Sequence, residues 1–165
     1  MAERWVLNAS PLIVLARIGQ EQLFQALADE VVIPRAVAEE IEAGPAKDPA
    51  RQAVAGGQFP IVDTELSPEI LAWDLGTGET AVLSFALANP GWTVILDDAA
   101  ARNCARSFSL SLKGTLAIVI LAKQRGLVSS AAGILRSLIT SGFRLDERVI
   151  RKVLSHTVGE TWNDS

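Results

Sequence analysis

The sequence contains 165 residues, of which 49% are hydrophobic, and carries a formal net charge of −4. This size suits one well-buried core and is too small for two ordinary domains. One cysteine, Cys104, excludes an internal disulfide, and one cysteine with one histidine, His156, are too few for a zinc cluster. The acidic balance argues against a surface that coats nucleic acid. It permits clustered carboxylates around a divalent cation, because the metal reverses the local charge.

Hydrophobic segments are too short to cross a membrane. The longest apolar runs, such as Leu116 to Ala122, fall far short of the roughly 20 residues that a span needs. The first residues, Met1 to Trp5, lead directly into a strand-like run and lack the apolar core of a signal peptide. We therefore expect a cytoplasmic protein with no membrane association.

The first half of the chain alternates apolar strand-like runs with helical patterns. Trp5 to Leu7 predicts a first strand, after which Ser10 is placed to cap a helix with Pro11 in its first turn. Apolar residues at helical spacing up to Leu27 predict a helical hairpin, and Pro34 is expected to begin a further helix directly after a second strand. The other elements predicted here are a short helix at 49–54 within a surface connection, a strand or extended piece at 61–62, and a brief helix beginning near 67.

The second half begins with a strong helical pattern, which Thr77 is expected to cap. An apolar run, Val94 to Leu96, then predicts a strand buried on both faces, as in a parallel sheet. Further predicted elements are a helix at 99–108, a last strand at 110–112 and helices at 116–124, 131–141 and 146–154. This order predicts one α/β domain over residues 1–156, with a parallel sheet covered on both faces and a helical carboxyl third. The tail, 157–165, is expected to be loose unless Trp162 docks against a partner.

Acidic and amide side chains fall where the predicted strands end. Asp97 and Asp98 follow the buried run that ends at Leu96. Asn8 follows the first strand, and Glu79 lies in the first turn of a helix. Because the carboxyl ends of parallel strands share one edge with the helix starts, we expect these four side chains to line one crevice. Oxygen donors without histidine or thiolate suit Mg²⁺ or Mn²⁺, and such an ion points to metal-assisted hydrolysis of a phosphodiester.

Each of these residues also has an explanation that requires no function. The helix dipole stabilises Glu79 in a first turn, and Asp98 can simply cap the helix that follows it. Glu40 lies between other glutamates and fits a solvated helix face, whereas Asn8 fits a turn. Lys113 could contact a phosphate but fits a solvent-exposed lysine better. The residues alone therefore leave both explanations open.

Five short motifs occur in order over about 110 residues. They are Asn8-Ala9-Ser10-Pro11-Leu12-Ile13, then Ile33-Pro34 followed by Val37 and Glu40, then Gly76-x-Gly78-Glu79-x-Ala81, then Leu96-Asp97-Asp98 followed by Arg102, then Gly114-Thr115-Leu116. This series resembles the PIN-domain proteins of the DUF3368 group, and Gly142-Phe143-Arg144-Leu145 also fits. The resemblance implies a PIN-like three-layer α/β/α sandwich around a short central parallel sheet.

The resemblance also implies an activity and partners. The implied activity is that of a Mg²⁺- or Mn²⁺-dependent endoribonuclease that hydrolyses RNA, often as the toxin half of a toxin–antitoxin pair. The implied partners are RNA, a cognate antitoxin protein and a second copy of the chain in a homodimer. Carried over by position, the catalytic residues fall on Glu40, Glu79 and Asp97, and the metal ligands on Asn8, Glu79, Asp97 and Asp98. Residues expected to contact the substrate are Ser10, Arg102, Lys113 and Thr115.

Asn8 departs from the family's pattern, which generally has aspartate at this position. An amide is a neutral and weaker metal ligand, and it cannot serve as a general base. One alternative is therefore a weak or inactive PIN-like module that binds RNA or a protein. A second alternative is a phosphoacceptor domain, since an aspartate at a middle strand end and Lys113 after the last strand would suit one. The absence of an acidic pair after the first strand argues against the second alternative.

Overall fold

A five-stranded parallel sheet forms the centre of the protein, whose computed structural model describes residues 2–162. The strands are β1 (Arg4–Leu7), β2 (Glu30–Pro34), β3 (Ile61–Val62), β4 (Trp92–Ile95) and β5 (Leu112–Lys113), in the order β3-β2-β1-β4-β5. β1 therefore pairs with β2 on one side and β4 on the other, in a register that places Leu7 beside Ile95. The strand order reverses between β1 and β4, and open α/β sheets bind ligands at such a point.

The helices connect the strands and extend beyond the last of them. Before β4 they are α1 (Ala9–Arg17), α2 (Leu23–Leu27), α3 (Arg35–Glu42), α4 (Pro49–Ala55), α5 (Pro68–Leu71) and α6 (Thr77–Ala88). After β4 they are α7 (Ala99–Ser107), α8 (Thr115–Gln124), α9 (Ala131–Thr140) and α10 (Glu147–Thr157). The predicted α/β fold, with its short parallel sheet and helical carboxyl third, is confirmed. Within residues 2–162, no helix combines the length and apolar character that a membrane crossing requires.

The two strands at the reversal point are buried on both faces. Trp5, Val6 and Leu7 of β1 have no exposed surface, and the same is true of the run from Val94 to Leu96. Strands covered on both faces carry continuous apolar runs instead of alternating ones, which is why sequence alone could find them. Helix α6 lies against β1, β2 and β4 and is itself buried along most of its length.

Two predicted helix caps differ from the structure. α1 begins at Ala9, so Asn8 and not Ser10 precedes the helix, and the Asn8 side chain makes no capping hydrogen bond. The backbone N–H of Asn8 still pairs with the sheet, donating to the carbonyl of Ile95 3.1 Å away. The chain turns into the helix directly after this residue. α6 is likewise preceded by Gly76, and the predicted cap residue Thr77 is its first helical residue.

The last strand begins two residues later than the predicted 110–112 and ends one residue later. Ser109 adopts the left-handed conformation at φ 54°, and the Leu110 N–H donates to the Ala105 carbonyl at 2.9 Å. Ser109 and Leu110 therefore terminate α7. Leu110 was predicted to join the sheet and does not. β5 pairs with β4 through Leu112 and Lys113. As a result, Gly114 and the start of α8 arrive at the edge where β4 ends.

The carboxyl-terminal tail packs against the domain as far as the structure describes it. Trp162 is buried, and the guanidinium of Arg136 lies over its ring, 5.6 Å from the centroid. The Glu160 carboxylate accepts hydrogen bonds from the Ser130 hydroxyl at 2.9 Å and from the first backbone N–H groups of α9 at 2.9 and 3.0 Å. The predicted looseness of 157–165 does not apply to these residues, and 163–165 lie outside the described part of the chain.

Glu160→Gln is expected to lower the free energy of unfolding by about 1–3 kcal/mol, because hydrogen bonds to a charged group are stronger than those to an amide. Burial by itself would raise the pKa of Glu160, but the N–H groups of Ala132 and Ala131, the Ser130 hydroxyl and Lys123 together hold it below the ordinary value of 4.5. The stabilisation is therefore present above pH 4.5 and is lost as the pH falls through the lowered pKa. Urea unfolding across this pH range measures the difference from wild type. The exposed Glu65→Gln provides the control, and a pH-independent difference would contradict the assignment.

Candidate functional site

A cavity of about 490 Å³ opens where the ends of β1 and β4 meet. The sequence predicted one crevice for Asn8, Glu79, Asp97 and Asp98, and the structure places all four on this cavity, named the acidic cavity below. Its other lining residues are Ser10, Val14, Arg17, Ser141, Gly142, Phe143 and Arg144. Asn8 is only 5% exposed, and its amide is not used to cap α1. A buried amide is thus held beside three carboxylates.

Glu79 is the carboxylate in the first turn of α6, where its Oε2 accepts a hydrogen bond from the Gly76 N–H at 3.2 Å. Burial raises the pKa of Glu79, and the negative charges of Asp98 and Glu40 raise it further, against the opposing effect of the Gly76 N–H. The site therefore resists ionisation of Glu79. A cation among these groups would reverse that balance, because it favours the charged form.

Glu40 lies at the rim of the same site, although it does not line the acidic cavity. A Cβ atom built on Gly78 would sit 3.5 Å from Asn8 Oδ1 and 3.6 Å from Glu40 Oε2. The start of α6 is therefore enclosed between the amide of β1's end and the carboxylate on α3. Glu40 itself is exposed, and it acts on Glu79 through its charge.

Both carboxylate oxygens of Asp97 are held by the first residue of α8. Asp97 Oδ1 accepts from the Thr115 backbone N–H at 2.8 Å, and Oδ2 accepts from the Thr115 hydroxyl at 2.5 Å. Thr115 has no exposed surface. A Cβ on Gly114 would lie 2.9 Å from Asp97 Oδ1 and 2.7 Å from Arg102 Nη1, so a side chain there would displace the Asp97 carboxylate or the Arg102 guanidinium. The orientation of Asp97 is therefore fixed by its neighbours.

Asp98 and Arg102 are each anchored by one contact near the start of α7. Asp98 Oδ2 accepts from the Ala101 N–H at 3.0 Å and caps the helix, as its simpler interpretation predicted. Capping engages one oxygen of this exposed carboxylate, which also lines the acidic cavity. Arg102 Nη1 donates to the Leu96 carbonyl at 3.0 Å, so the guanidinium lies beside the end of β4. Capping and a place on the cavity are thus compatible in Asp98.

The comparison with protein families decides the family. The model described as DUF3368, a PIN domain, matches residues 4–160. The chain belongs to the PIN-domain family. PIN domains are generally nucleases. No curated protein shows a matching sequence.

One solved structure was also found to be similar to part of this chain. It is the crystal structure of VapBC2 from Rickettsia felis, bound to a DNA fragment from the promoter of these proteins. The match has a TM-score of 0.44 and 10% sequence identity, and it covers 68% of this chain and 98% of the other.

The donors on the acidic cavity of this PIN domain suit a hard divalent cation. They are oxygen atoms of carboxylates and one amide, which Mg²⁺ and Mn²⁺ prefer over the nitrogen and sulfur ligands that zinc or copper would take. Among residues 2–162, no three His, Cys, Asp or Glu side chains are grouped closely enough to hold a metal by themselves. Since Mg²⁺ is bound through one or two carboxylates together with waters and substrate phosphate, this looser arrangement still fits it.

The cavity of the PIN domain includes residues that were not predicted as site residues. Phe143 and Arg144 precede α10 and face the acidic residues across the cavity. The sequence singles out their segment, 142–145, only through its fit to the family. Its local pattern does not indicate that the chain returns to the sheet edge after α9. Arg17 also lines the cavity, and its guanidinium is paired with Asp48 at 3.3 Å. Of the predicted substrate contacts, Ser10 lies on the cavity, whereas Arg102 and Lys113 lie on a neighbouring groove.

Thr115→Val is expected to lower the free energy of unfolding of this PIN domain by about 1–3 kcal/mol, because it removes the buried hydroxyl that donates to the partly buried Asp97 carboxylate. Valine has nearly the same shape as threonine, so packing changes little. Thr115→Ser keeps the hydroxyl and is expected to recover most of the loss. Urea unfolding without added metal measures the stability of both variants. Equal stability of Thr115→Val and wild type would contradict the stabilising role of the hydrogen bond from the Thr115 hydroxyl to Asp97.

Proposed function

We propose that this PIN domain is a Mg²⁺- or Mn²⁺-dependent endoribonuclease that hydrolyses RNA phosphodiester bonds. The observation that carries the proposal is the gathering of Asn8, Glu79, Asp97 and Asp98 on one cavity at the reversal point of the sheet. The raised pKa of Glu79 supports the proposal, because ionisable groups with shifted pKa values cluster at functional sites. Membership of a family of nucleases supports the reaction class.

The proposed roles follow from where each side chain lies. Glu79 and Asp97 are the principal metal ligands, and Asp98 and the Asn8 amide oxygen are the further oxygen donors. When bound, the ion would supply an activated water and neutralise charge that develops on the phosphate. Glu40 is assigned to positioning water, consistent with its exposure and with the 3.6 Å between its Oε2 and a Cβ built on Gly78. The catalytic set is therefore Glu40, Glu79 and Asp97.

Substrate contacts are proposed for four further residues. Ser10 is exposed on the acidic cavity, and Arg102 and Lys113 offer cations beside it for the phosphates of RNA. Thr115 is buried on Asp97, so its contribution in the described geometry passes through the orientation of that carboxylate. Outer contacts of this kind fix the direction in which a ligand oxygen points.

The biological setting is proposed from the resemblance of the sequence. A PIN-domain ribonuclease of this group fits the toxin half of a toxin–antitoxin pair in the cytoplasm, with a cognate antitoxin protein as partner and a homodimer as assembly. A neighbouring gene that encodes a small DNA-binding protein would support the toxin role. Suppression of RNA cleavage by that protein would test the pairing directly.

The proposed activity is tested by incubating the purified protein with single-stranded RNA and Mn²⁺ or Mg²⁺. We expect endonucleolytic cleavage that EDTA stops and that Asp97→Asn abolishes. Arg148→Gln is the control for preparation and handling, because Arg148 is exposed on α10 and lines neither the acidic cavity nor the neighbouring groove. Absence of cleavage by wild type, or equal cleavage by Asp97→Asn, would overturn the proposal.

Asn8 supports a second candidate function, that of a PIN-fold module that binds RNA or protein without cleaving. The amide is neutral and buried where a carboxylate would contribute charge to a metal site. Calorimetric titration with Mn²⁺ separates the two functions. Binding by wild type favours the nuclease, whereas binding that appears only in Asn8→Asp favours the inactive module.

A further inference from the structure

A second cavity of about 590 Å³ lies next to the acidic cavity, between α8, α10 and the segment that joins α9 to α10. We name it the apolar groove. Most of its lining is hydrophobic, and apart from the buried Ile120 these side chains are only partly buried, so they pack on the core with one side and face the groove with the other. The hydrophobic residues that line it are Leu116, Ala117, Ile120, Leu121, Phe143, Leu145 and Val153. Pockets of this volume hold ligands of small-molecule size.

Cations surround one end of the apolar groove. Arg102, Lys113 and Arg144 line it together with a single carboxylate, Asp97. Three positive side chains against one negative side chain contrast with the chain as a whole, whose net charge is −4. The carboxylate is already engaged by Thr115, whereas Arg144 is exposed. This end of the groove therefore attracts anions.

The apolar groove and the acidic cavity are adjacent. Asp97, Phe143 and Arg144 line both of them, so these three residues are all that lies between the two spaces at that point. A chain molecule with one phosphate at the acidic cavity would bring its next unit to the groove. The groove combines an apolar surface with cations near the proposed cleavage site. This combination suits a nucleotide, whose planar base is apolar on its faces and whose backbone is anionic.

We propose that the apolar groove binds an unpaired base of single-stranded RNA, adjacent to the phosphate at the acidic cavity. The proposal rests on the proposed nuclease function and names the form of its substrate. Phe143 offers a ring for the base to stack on, and Arg144 meets the backbone phosphate between the two cavities. A base inside an A-form duplex is stacked and paired, so it cannot enter such a groove. Occupancy of the groove therefore requires an unpaired base.

The test fills the groove with Ala117→Phe and removes its exposed cation with Arg144→Gln. Fluorescence anisotropy with a short, mixed-sequence single-stranded oligoribonucleotide gives the affinity, with Ca²⁺ in place of Mg²⁺ or Mn²⁺. We expect each variant to bind about tenfold more weakly or worse, Ala117→Phe because it excludes the base from its stacking position and Arg144→Gln because it removes a phosphate contact. Arg148→Gln, another exposed arginine of the same region, is expected to stay within about twofold of wild type.

Two outcomes decide between the groove and its alternatives. A folded Ala117→Phe protein with wild-type affinity for the single strand overturns the proposal and leaves the groove to a protein partner. If Ala117→Phe does not fold, as judged by circular dichroism, wild-type affinity of Arg144→Gln overturns it instead. Wild-type protein that cleaves RNA while neither variant changes binding refutes the groove alone. Groove-dependent binding without any cleavage by wild type refutes the nuclease function alone.

Discussion

Glu79→Gln is expected to lower RNA cleavage by on the order of 10²-fold or more, because it removes a charged oxygen donor from the acidic cavity. The same change is expected to raise the melting temperature of the metal-free protein at neutral pH. Burial, together with Asp98 and Glu40, raises the pKa of Glu79, so its stabilising contribution is present below the ordinary value of 4.5 and is lost as the pH rises through the raised pKa. Above that pH, the ionised carboxylate costs stability that glutamine does not.

Cleavage rates and thermal melts of the same Glu79→Gln preparation measure both effects. Glu69→Gln is the matched control, since Glu69 also occupies a helix's first turn but is exposed and lines neither cavity. We expect the control to change neither quantity appreciably. A Glu79→Gln protein that loses activity together with stability would indicate a structural role for this residue.

Asn8→Asp is expected to tighten Mn²⁺ binding by about tenfold or more, because affinity for hard cations grows with the charge of the ligands. Without metal, the same change is expected to lower the free energy of unfolding by about 1–3 kcal/mol, because it adds a buried negative charge to the carboxylates already on the acidic cavity. Stability should therefore fall in EDTA and recover on addition of Mn²⁺.

Calorimetry with Mn²⁺ and urea unfolding with and without the ion test Asn8→Asp. The exposed Asn103→Asp adds the same charge on α7, away from both cavities, and is the control. Unchanged Mn²⁺ affinity in Asn8→Asp would place Asn8 outside the metal site. In that case the amide would be a feature of the turn after β1, as its simpler interpretation has it.

The sequence predicted the sheet edge well because burial leaves a strong local signal. Val94 to Leu96 had to be covered on both faces, and a strand of that kind ends where helices begin. Asn8 could be assigned to the same edge because parallel strands share their carboxyl ends. The helix caps predicted at Ser10 and Thr77 are wrong for separate reasons. Backbone pairing across the sheet holds Asn8 until α1 begins, and Gly76 precedes α6 with its N–H donating to Glu79.

The contacts that depend on distant segments could not be predicted from the sequence. Thr115 holds Asp97 across eighteen positions of the chain, and only the sheet register brings them together. Phe143 and Arg144 reach the cavity because α9 and α10 fold back over α8. Glu160 binds the start of α9 from a tail whose polar composition predicted looseness. In each case a tertiary contact gives a role to a residue with no local periodic signal.

Analysis of the RNA ends left by cleavage tests the central claim most directly, because it reports which nucleophile attacked the phosphate. A water activated at the acidic cavity adds across the phosphodiester and leaves one end with a phosphate monoester and the other with a hydroxyl. Mass spectrometry of products made by wild type with Mn²⁺ should show such ends, and Asp97→Asn should yield no product. Ends carrying a 2′,3′-cyclic phosphate, which arise from attack by the ribose hydroxyl, or products that persist in EDTA would contradict the account.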